Sequence, residues 1–334
     1  MIRRALLGGF AAALAQTAIP AAALAQTPDL PLPADFPPGL MRMIVPYGSG
    51  GGSHAVAVAV SEELEKIVGR KVVVQTMPGR SGLDAVDAFM NKPPSALNIL
   101  QHIDDAASAF AAGRMPFDPG VDWVPLGITQ ITFSQLYIRA RDRRFKDWPS
   151  FLQYARDNPG FVKIGNVGNE SSAEQVNIRL LEDALGIKVA QVGFDRPANR
   201  YMSVILGTVD ALVEQPGDVR TFLDRGLYTP VLTFLRDRPS AFASTPSLRD
   251  IGAEFSPLLR FRGFFVRKGV PGNHVDFLET ALRKVYDSSG YRAFNRRNYM
   301  HLLESYRDSQ GAVVLINDAV ASYRKAFKMM GVLK

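Results

Sequence analysis

The chain has 334 residues, 47% of them hydrophobic, and a mean hydropathy near zero, which is typical of a globular protein with one large or two smaller domains. Its net charge of +7 does not indicate a nucleic-acid partner, because Asp142 and Asp147 interrupt the richest basic run, residues 139–147. The sequence contains no cysteine, which excludes disulfides, thiolate metal sites, a cysteine nucleophile and a lipoprotein anchor.

Residues 1–25 have the pattern of an export signal. Arg3 and Arg4 precede an apolar stretch rich in alanine and leucine, and residues 23–25, Ala-Leu-Ala, provide a small-x-small cleavage site. Polar residues and a proline interrupt the stretch, so a permanent membrane span is not expected. The arginine pair also fits a twin-arginine signal loosely. We therefore expect a soluble protein, free in the periplasm of a Gram-negative bacterium, whose residues 26–41 form a flexible N-terminus.

The first structural unit is predicted around a glycine-rich loop. Residues 42–47 predict a buried strand, the loop follows at 48–53, and residues 71–75 predict a second strand. Between them, apolar side chains recur at helical spacing, at Val56, Val60, Leu64, Ile67 and Val68. This order predicts a right-handed βαβ unit with parallel strands. Such a loop can bring backbone N–H groups close to a negatively charged ligand, although the same glycines also suit a simple tight turn.

The same order of elements returns in residues 161–194, as a strand, a small polar loop, a helix and a second strand. Within that loop, Ser171 precedes Glu174 and Ser172 precedes Gln175 by three residues, which is the spacing of a capping box. These serines can therefore cap the helix or donate to a ligand, and the sequence leaves both roles open.

Two such units predict an α/β protein with two facing lobes. We expect the two-lobed periplasmic-binding-protein fold of type II, or Venus-flytrap, with two crossing hinge strands. The crossing strands are predicted at 126–140 and 258–271. The first lobe is expected to comprise residues 42–138 and 262–334, and the second lobe residues 139–261. Ligands of open α/β sheets bind beyond the carboxyl ends of the strands, where both loops lie.

Several segments resemble motifs of the receptors of tripartite tricarboxylate transporters, known as TctC or Bug receptors. IVPYGSGGGS resembles their VVPFxxGGxxD opening, and VVVQTMPGRSG resembles VVVENRPGAGG. Later, LGTVDALVEQ resembles GGQVDLMFDN, and the final KAFKMMGVLK resembles VVKAAGIK. The resemblance covers residues 42–334 in the family's order. It implies a receptor whose two loops hold the carboxylate ends of a small organic acid through backbone amides, hydroxyls and ordered water.

The chain departs from the family pattern in the expected ligand-binding loops. His54 stands where the family has an acidic residue after the glycines, and Gln175 stands where the second loop ends in histidine. Phe194 and Asp195 replace the tyrosine and lysine of the family's VPYKG segment. The fold is therefore expected to transfer, whereas the ligand is left open.

The candidate ligand-binding residues come from the two loops and from the strand ends near them. They are Tyr47, Ser49, Gly50, Gly51, Gly52, Ser53, His54, Asn169, Ser171, Ser172, Phe194, Asp195 and Glu214. Glycine exposes backbone donors, serine adds hydroxyl donors without bulk, and a helix N-terminus favours an anion. His54 is expected to make its end of the cleft less negative. Asp195 and Glu214, if they face the ligand, would favour a hydroxyl or ammonium group on it, and Glu214 suits a structural role equally.

No catalytic residue, cofactor or metal is predicted. Residues 51–55 resemble a degenerate nucleophile elbow around Ser53, so an exported serine hydrolase is a remote alternative. His102, Asp104 and Asp105 suit a strand end and a solvated turn better than a metal site. The expected partners are a small organic carboxylate and the membrane subunits of a tripartite tricarboxylate transporter, with no nucleic acid and with the protein as a monomer. A ligand-sensing subunit for a membrane histidine kinase is the alternative.

Overall fold

The computed structural model describes residues 28–168 and 172–333. The predicted export signal, residues 1–25, and the candidate residues Asn169 and Ser171 lie outside the described residues. Within the described ranges, none of the helices combines the length and the apolar character that crossing a membrane requires.

The described chain alternates strands and helices. In chain order the strands are β1 (Met41–Val45), β2 (Val72–Thr76), β3 (Asn98–Ile103), β4 (Trp123–Thr132), β5 (Gln135–Arg139), β6 (Lys163–Val167), β7 (Ala190–Phe194), β8 (Ala211–Glu214), β9 (Tyr228–Thr233) and β10 (Arg260–Arg267). The helices are α1 (Gly52–Val68), α2 (Leu83–Met90), α3 (Asp105–Ala111), α4 (Trp148–Asp157), α5 (Ala173–Leu185), α6 (Pro197–Met202), α7 (Arg220–Asp224), α8 (Gly272–Asp287), α9 (Ser289–Arg297) and α10 (Ser309–Met329).

The strands form two sheets with equivalent layouts. The first has the order β2-β1-β3-β10-β4, and the second has the order β7-β6-β8-β5-β9. In the first, β1 runs parallel to β2 and β3, while β10 is antiparallel to β3 and β4. In the second, β6 runs parallel to β7 and β8, while β5 is antiparallel to β8 and β9. The predicted α/β class, with its two parallel βαβ units, is confirmed.

We define the first lobe as the first sheet with α1–α3 and α8–α10, and the second lobe as the second sheet with α4–α7. Residues 126–140, predicted as one strand, form two strands in different sheets, because β4 ends at Thr132 and β5 begins at Gln135. Each half pairs with its own neighbours, so the ladder breaks where the chain changes lobe. The second crossing leads into β10. The lobe boundaries predicted from the sequence stay a prediction.

Helix α1 fixes the position of the glycine-rich loop at its start. The apolar residues predicted to share one face of this helix are all buried in the first lobe's core, together with side chains of β1, β2 and α8. Burying each such side chain is worth about 1.5–3 kcal/mol. The helix ends at Gly69, whose φ of 63° lies in the left-handed region that glycine tolerates. The loop before α1 is therefore held at the carboxyl edge of the first sheet.

A buried charge cluster joins the two lobes. Arg260, the first residue of β10, donates from Nη2 to both carboxylate oxygens of Glu174 on α5, at 2.7 Å each. Its Nη1 lies 3.5 Å from Asp104 and 3.4 Å from Asp105, at the start of α3. Tyr323 of α10 donates to Asp104 at 2.5 Å. The solvated turn predicted at Asp104 and Asp105 is therefore wrong, since both carboxylates are buried and paired with a guanidinium.

The cluster holds three carboxylates and one guanidinium, so burial acts on each acid differently. Burial raises the pKa of Asp104 to about 7, against the opposing attraction of Arg260 and together with repulsion from Asp105 and Glu174. Burial also disfavours ionised Glu174, but the guanidinium of Arg260 outweighs it and lowers the pKa of that carboxyl. Asp104 is thus protonated in the folded protein below about pH 7.

A second ion pair between the lobes crosses the glycine-rich loop. Arg262, two residues along β10, donates from Nη2 to Asp218 in the second lobe at 2.7 Å, and both side chains are buried. A Cβ at Gly52 would lie 2.5 Å from Asp218 Oδ2 and closer still to Arg262 Nη2. A Cβ at Gly51 would lie 3.0 Å from Pro197 of α6. The loop therefore needs glycine because the second lobe presses against its backbone.

The Asp104 carboxyl should make folding stability depend on pH. Its pKa is raised from 3.8 to about 7 in the folded state, so between pH 4 and 7 the unfolded chain releases a proton that the folded chain keeps. The free energy of unfolding of the wild type should therefore fall with rising pH, relative to Asp104→Asn, by up to about 4 kcal/mol. Urea denaturation of both proteins from pH 4 to 8 measures this difference.

The exposed Asp237→Asn variant is the matched control, because the Asp237 side chain is 65% exposed and pairs with Arg249 at the surface. Its stability difference from the wild type should change little over the same range. A difference between the wild type and Asp104→Asn that stays flat, or that grows in favour of the wild type as pH rises, would contradict the assignment.

Alanine at position 52 should separate the lobes. Its Cβ would displace either Arg262 or Asp218 from their buried pair, and breaking such a pair costs on the order of 3–5 kcal/mol. Small-angle scattering should show a larger radius of gyration for Gly52→Ala, with an unchanged circular dichroism spectrum. Gly48→Ala in the same loop is the control, because nothing lies within 4 Å of a Cβ there. Equal radii for the two variants would show that the loop is not tightly enclosed.

Candidate functional site

Two cavities lie between the lobes, beside the carboxyl edge of the first sheet. The outer cavity has a volume of about 660 Å³ and lies between residues 46–49 and 78–82 of the first lobe and residues 195–198 of the second. The inner cavity, of about 50 Å³, extends from it beneath Gly51–Ser53. Tyr47, Val167, Asp195 and Pro197 line both cavities. Together they form one cleft between the lobes.

The N-terminus of α1 faces the inner cavity without a cap. Gly51 is the N-cap residue and offers no side chain, and the first turn contains no acidic residue. The backbone N–H groups of Gly52 and Ser53 therefore lack the intrahelical partners that later residues have. Ser53 is buried, and it lines the inner cavity. This helix end presents donors and a partial positive charge to whatever occupies the cleft.

A second loop, residues 79–82, brings another uncapped helix end to the outer cavity. All four residues have positive φ, and the values are 148° at Gly79, 41° at Arg80, 57° at Ser81 and 94° at Gly82. For Arg80 and Ser81 this conformation costs on the order of 1–3 kcal/mol each, and such strain concentrates at ligand clamps and active sites. Helix α2 follows with Gly82 as its N-cap and no side-chain cap. None of the candidate binding residues predicted from the sequence lies in this loop.

The arginines that line the inner cavity are already paired. Arg200 donates from Nε to Glu214 at 2.6 Å, and both side chains are buried. Burial raises the pKa of Glu214, although the adjacent guanidinium favours its ionised form. Arg260 and Arg262 are held in the two ion pairs between the lobes. Glu214 therefore both lines the inner cavity and has the structural role that the sequence left open.

Most of the predicted residues from the first loop lie at the cleft. Ser49 lines the outer cavity, whereas Gly51, Gly52 and Ser53 line the inner one. The Tyr47 hydroxyl donates to Asp105 at 3.0 Å, so it is partly engaged. Gly50, Gly51 and Gly52 also border a small cavity of about 80 Å³ on the opposite side of the loop.

Three other predicted residues lie elsewhere. His54 lines a separate groove between α1 and α9, beside Tyr291 and Arg297, because the turn of the helix points it away from the cleft. Ser172 is buried as the N-cap of α5 and accepts a hydrogen bond from the Gln175 N–H at 3.3 Å, so the capping role is confirmed. Phe194 packs against the second lobe's core and lines neither cavity.

The residues missed by the sequence analysis are the three arginines and loop 79–82. The alternation of Arg260 and Arg262 was a usable signal, because residues two apart on a strand share one face. The PGRSG segment was another, since its two glycines precede a helix that has no serine, threonine, aspartate or asparagine directly before it. Among the described residues, no group of three metal-ligating side chains is present.

Comparison with known proteins identifies the family. The family model described as tripartite tricarboxylate transporter family receptor matches residues 56–332. A UPF0065 protein from the gbd 5′ region of Cupriavidus necator is 23% identical over 87% of this chain and 85% of its own length. The structure of MatC from Rhodopseudomonas palustris with bound malate superposes with a TM-score of 0.77 at 19% identity, covering 87% of this chain and 99% of that one. An R. palustris protein with adipate gives 0.80 at 18% identity, covering 89% and 99%.

These findings confirm the predicted two-lobed fold and the resemblance drawn from the sequence motifs. The matched family and the structural neighbours are receptors, so the serine hydrolase alternative is not supported. The chain belongs to the tripartite tricarboxylate transporter receptor family, as a solute-binding protein and not an enzyme.

Proposed function

We propose that the protein is exported to the periplasm and works there as a monomer. It captures a small organic carboxylate between its lobes and delivers it to the membrane subunits of a tripartite tricarboxylate-type transporter. The family match supports the transporter partner, because the family consists of receptors of tripartite tricarboxylate transporters. It also supports the location, because these receptors are periplasmic. The export signal predicted at residues 1–25 supports the location.

The carboxylate proposal rests mainly on one observation: two helices without side-chain caps begin at the same cleft. Helices α1 and α2 both begin there after a glycine that provides no side-chain cap. The start of α1 offers free N–H donors, whereas the first N–H of α2, from Leu83, donates to the Arg80 carbonyl and Asp84 lies in the first turn of α2. Ser49, Ser53 and Ser81 line the same cavities. An anion bound there replaces the missing caps, and each hydrogen bond to a charged group is worth about 1.5–3 kcal/mol.

The size and the polarity of the cleft support a small ligand. The outer cavity of about 660 Å³ falls within the range of ordinary small-molecule sites, roughly 300–1,000 Å³. The arginines of the inner cavity are paired with acids of the protein, so neutral donors are the groups that remain there for a carboxylate. Arg80 and Arg196 line the outer cavity. Similar folds that contain malate and adipate support the same ligand class.

Removing the Ser53 hydroxyl should weaken carboxylate binding. Ser53→Ala deletes one donor at the start of α1, and the loss of one hydrogen bond to a charged group lowers affinity about ten-fold to a hundred-fold. Isothermal titration calorimetry over mono-, di- and tricarboxylates should first identify a ligand of the wild type and then show this loss.

His54→Ala is the matched control, because its side chain lines the groove between α1 and α9 instead of the cleft. It should bind the same carboxylate as tightly as the wild type. If no carboxylate binds to the wild type, or if neutral sugars bind while Ser53→Ala behaves like the wild type, the proposed function is wrong.

A further inference from the structure

Asp195 has an unusual position in the cleft. It follows β7 directly, and it lines the outer and the inner cavity from the second lobe. The residue is exposed, and within the described ranges its carboxylate makes no hydrogen bond and no ion pair. A charged side chain thus borders both cavities without a hydrogen-bonding or ionic partner among residues 28–168 and 172–333.

Two glycines allow the backbone to pack closely around Asp195. A Cβ at Gly193 would lie 2.7 Å from the Cα of Gly168, so the backbone after β6 packs directly on β7. A Cβ at Gly168 would lie 2.6 Å from Asp195 Oδ1. The Gly168 N–H also donates to the Phe194 carbonyl, at 3.4 Å. The Asp195 carboxylate therefore rests against the backbone of Gly168, in a position that a larger residue at 168 would obstruct.

Among the carboxylates that line the inner cavity, Asp195 is the one that forms no ion pair with a described arginine. Four carboxylates and three guanidinium groups line that cavity. Glu214 pairs with Arg200, and Asp218 pairs with Arg262. Asp105 lies 3.4 Å from Arg260, the guanidinium that also binds Glu174. Arg196, the residue after Asp195, lines only the outer cavity. At the inner cavity, a simple carboxylate ligand would therefore lie close to a carboxylate that no described arginine pairs with, which disfavours its binding.

We propose that Asp195 binds a protonated amine of the ligand, so that the preferred ligands are amino carboxylates. This inference rests on the proposed function, because the carboxylate end is still held by the N-termini of α1 and α2. Asp195 faces the same cavities from the second lobe and accepts hydrogen bonds from the ammonium group, so closure of the lobes joins both ends of a zwitterionic ligand. A hydroxyl at the same position donates one neutral hydrogen bond and binds more weakly.

The test compares ligands that differ only in the group expected to face Asp195. Succinate, malate and L-aspartate carry hydrogen, hydroxyl and ammonium at one carbon, and glutarate, 2-hydroxyglutarate and L-glutamate form a longer series. Calorimetry with the mature protein should give the tightest binding for an amino acid in at least one series. Asp195→Asn should weaken that ligand about ten-fold to a hundred-fold and leave the unsubstituted acid unchanged or tighter.

Asp183→Asn is the control for net charge, because Asp183 lies on α5 with a side chain that is 46% exposed and away from both cavities. It should leave the order of affinities unaltered. If the unsubstituted acids bind as tightly as the amino acids, or if Asp195→Asn weakens all ligands of a series equally, this inference is overturned and the proposed function stands. If no ligand of either series and no other carboxylate binds, both fail.

Discussion

The contact between the two lobes depends on two buried arginines, each of which needs a carboxylate partner. Arg260 and Arg262 lie on one face of β10, in the first sheet, and each finds an acid in the second lobe. A buried guanidinium without a carboxylate would cost several kcal/mol. These features depend on one another. The arginines need the acids of the second lobe, the acids reach them only when the lobes are in contact, and the lobes can approach this closely only with glycine at 51 and 52.

This arrangement separates the charges that join the lobes from the groups that face the ligand. The arginines of the inner cavity are neutralised inside the protein, so they give the cleft little net positive charge. In the proposed function, an anion is bound instead by backbone N–H groups at the starts of two helices, which have no side-chain cap. Such donors are fixed by the sheets beneath them, so little conformational entropy is lost when a ligand binds. If Asp195 binds an ammonium group as proposed, side-chain charge in the cleft selects among carboxylates.

The fold was predictable from the sequence because its helices and strands follow from local patterns of apolar spacing, glycines and helix caps. The helical spacing from Val56 to Val68 and the glycine at 69 predicted α1. The spacing of Ser172 to Gln175 gave capping as one of two roles left open, and the structure shows that Ser172 is the cap. The site was predicted only in part. His54 follows the glycines directly, yet one turn of helix directs it to another groove. Rotation about a helix axis decides such cases, and spacing along the chain does not show it.

The charged residues were the hardest to predict, since their roles depend on partners far away in the sequence. Asp104 and Asp105 follow a strand, which usually indicates a solvated turn, but Arg260 lies 155 residues from Asp105 and pairs with it in the interior. Nothing near the two acids in sequence indicates this pairing. The positive φ values at Arg80 and Ser81 could not be predicted for a different reason. Residues other than glycine seldom adopt positive φ, so their residue types give no indication of it.

The place of β10 in the first sheet also sets an order for folding. All strands of the second sheet lie between Gln135 and Thr233, so that sheet can assemble from one continuous segment. The first sheet cannot, because β10 lies between β3 and β4 in the sheet but begins only at Arg260, after all strands of the second sheet. Closing so long a loop is entropically costly, and non-local pairing slows folding. The second lobe should accordingly become protected from hydrogen exchange before the first, and the cleft should form last.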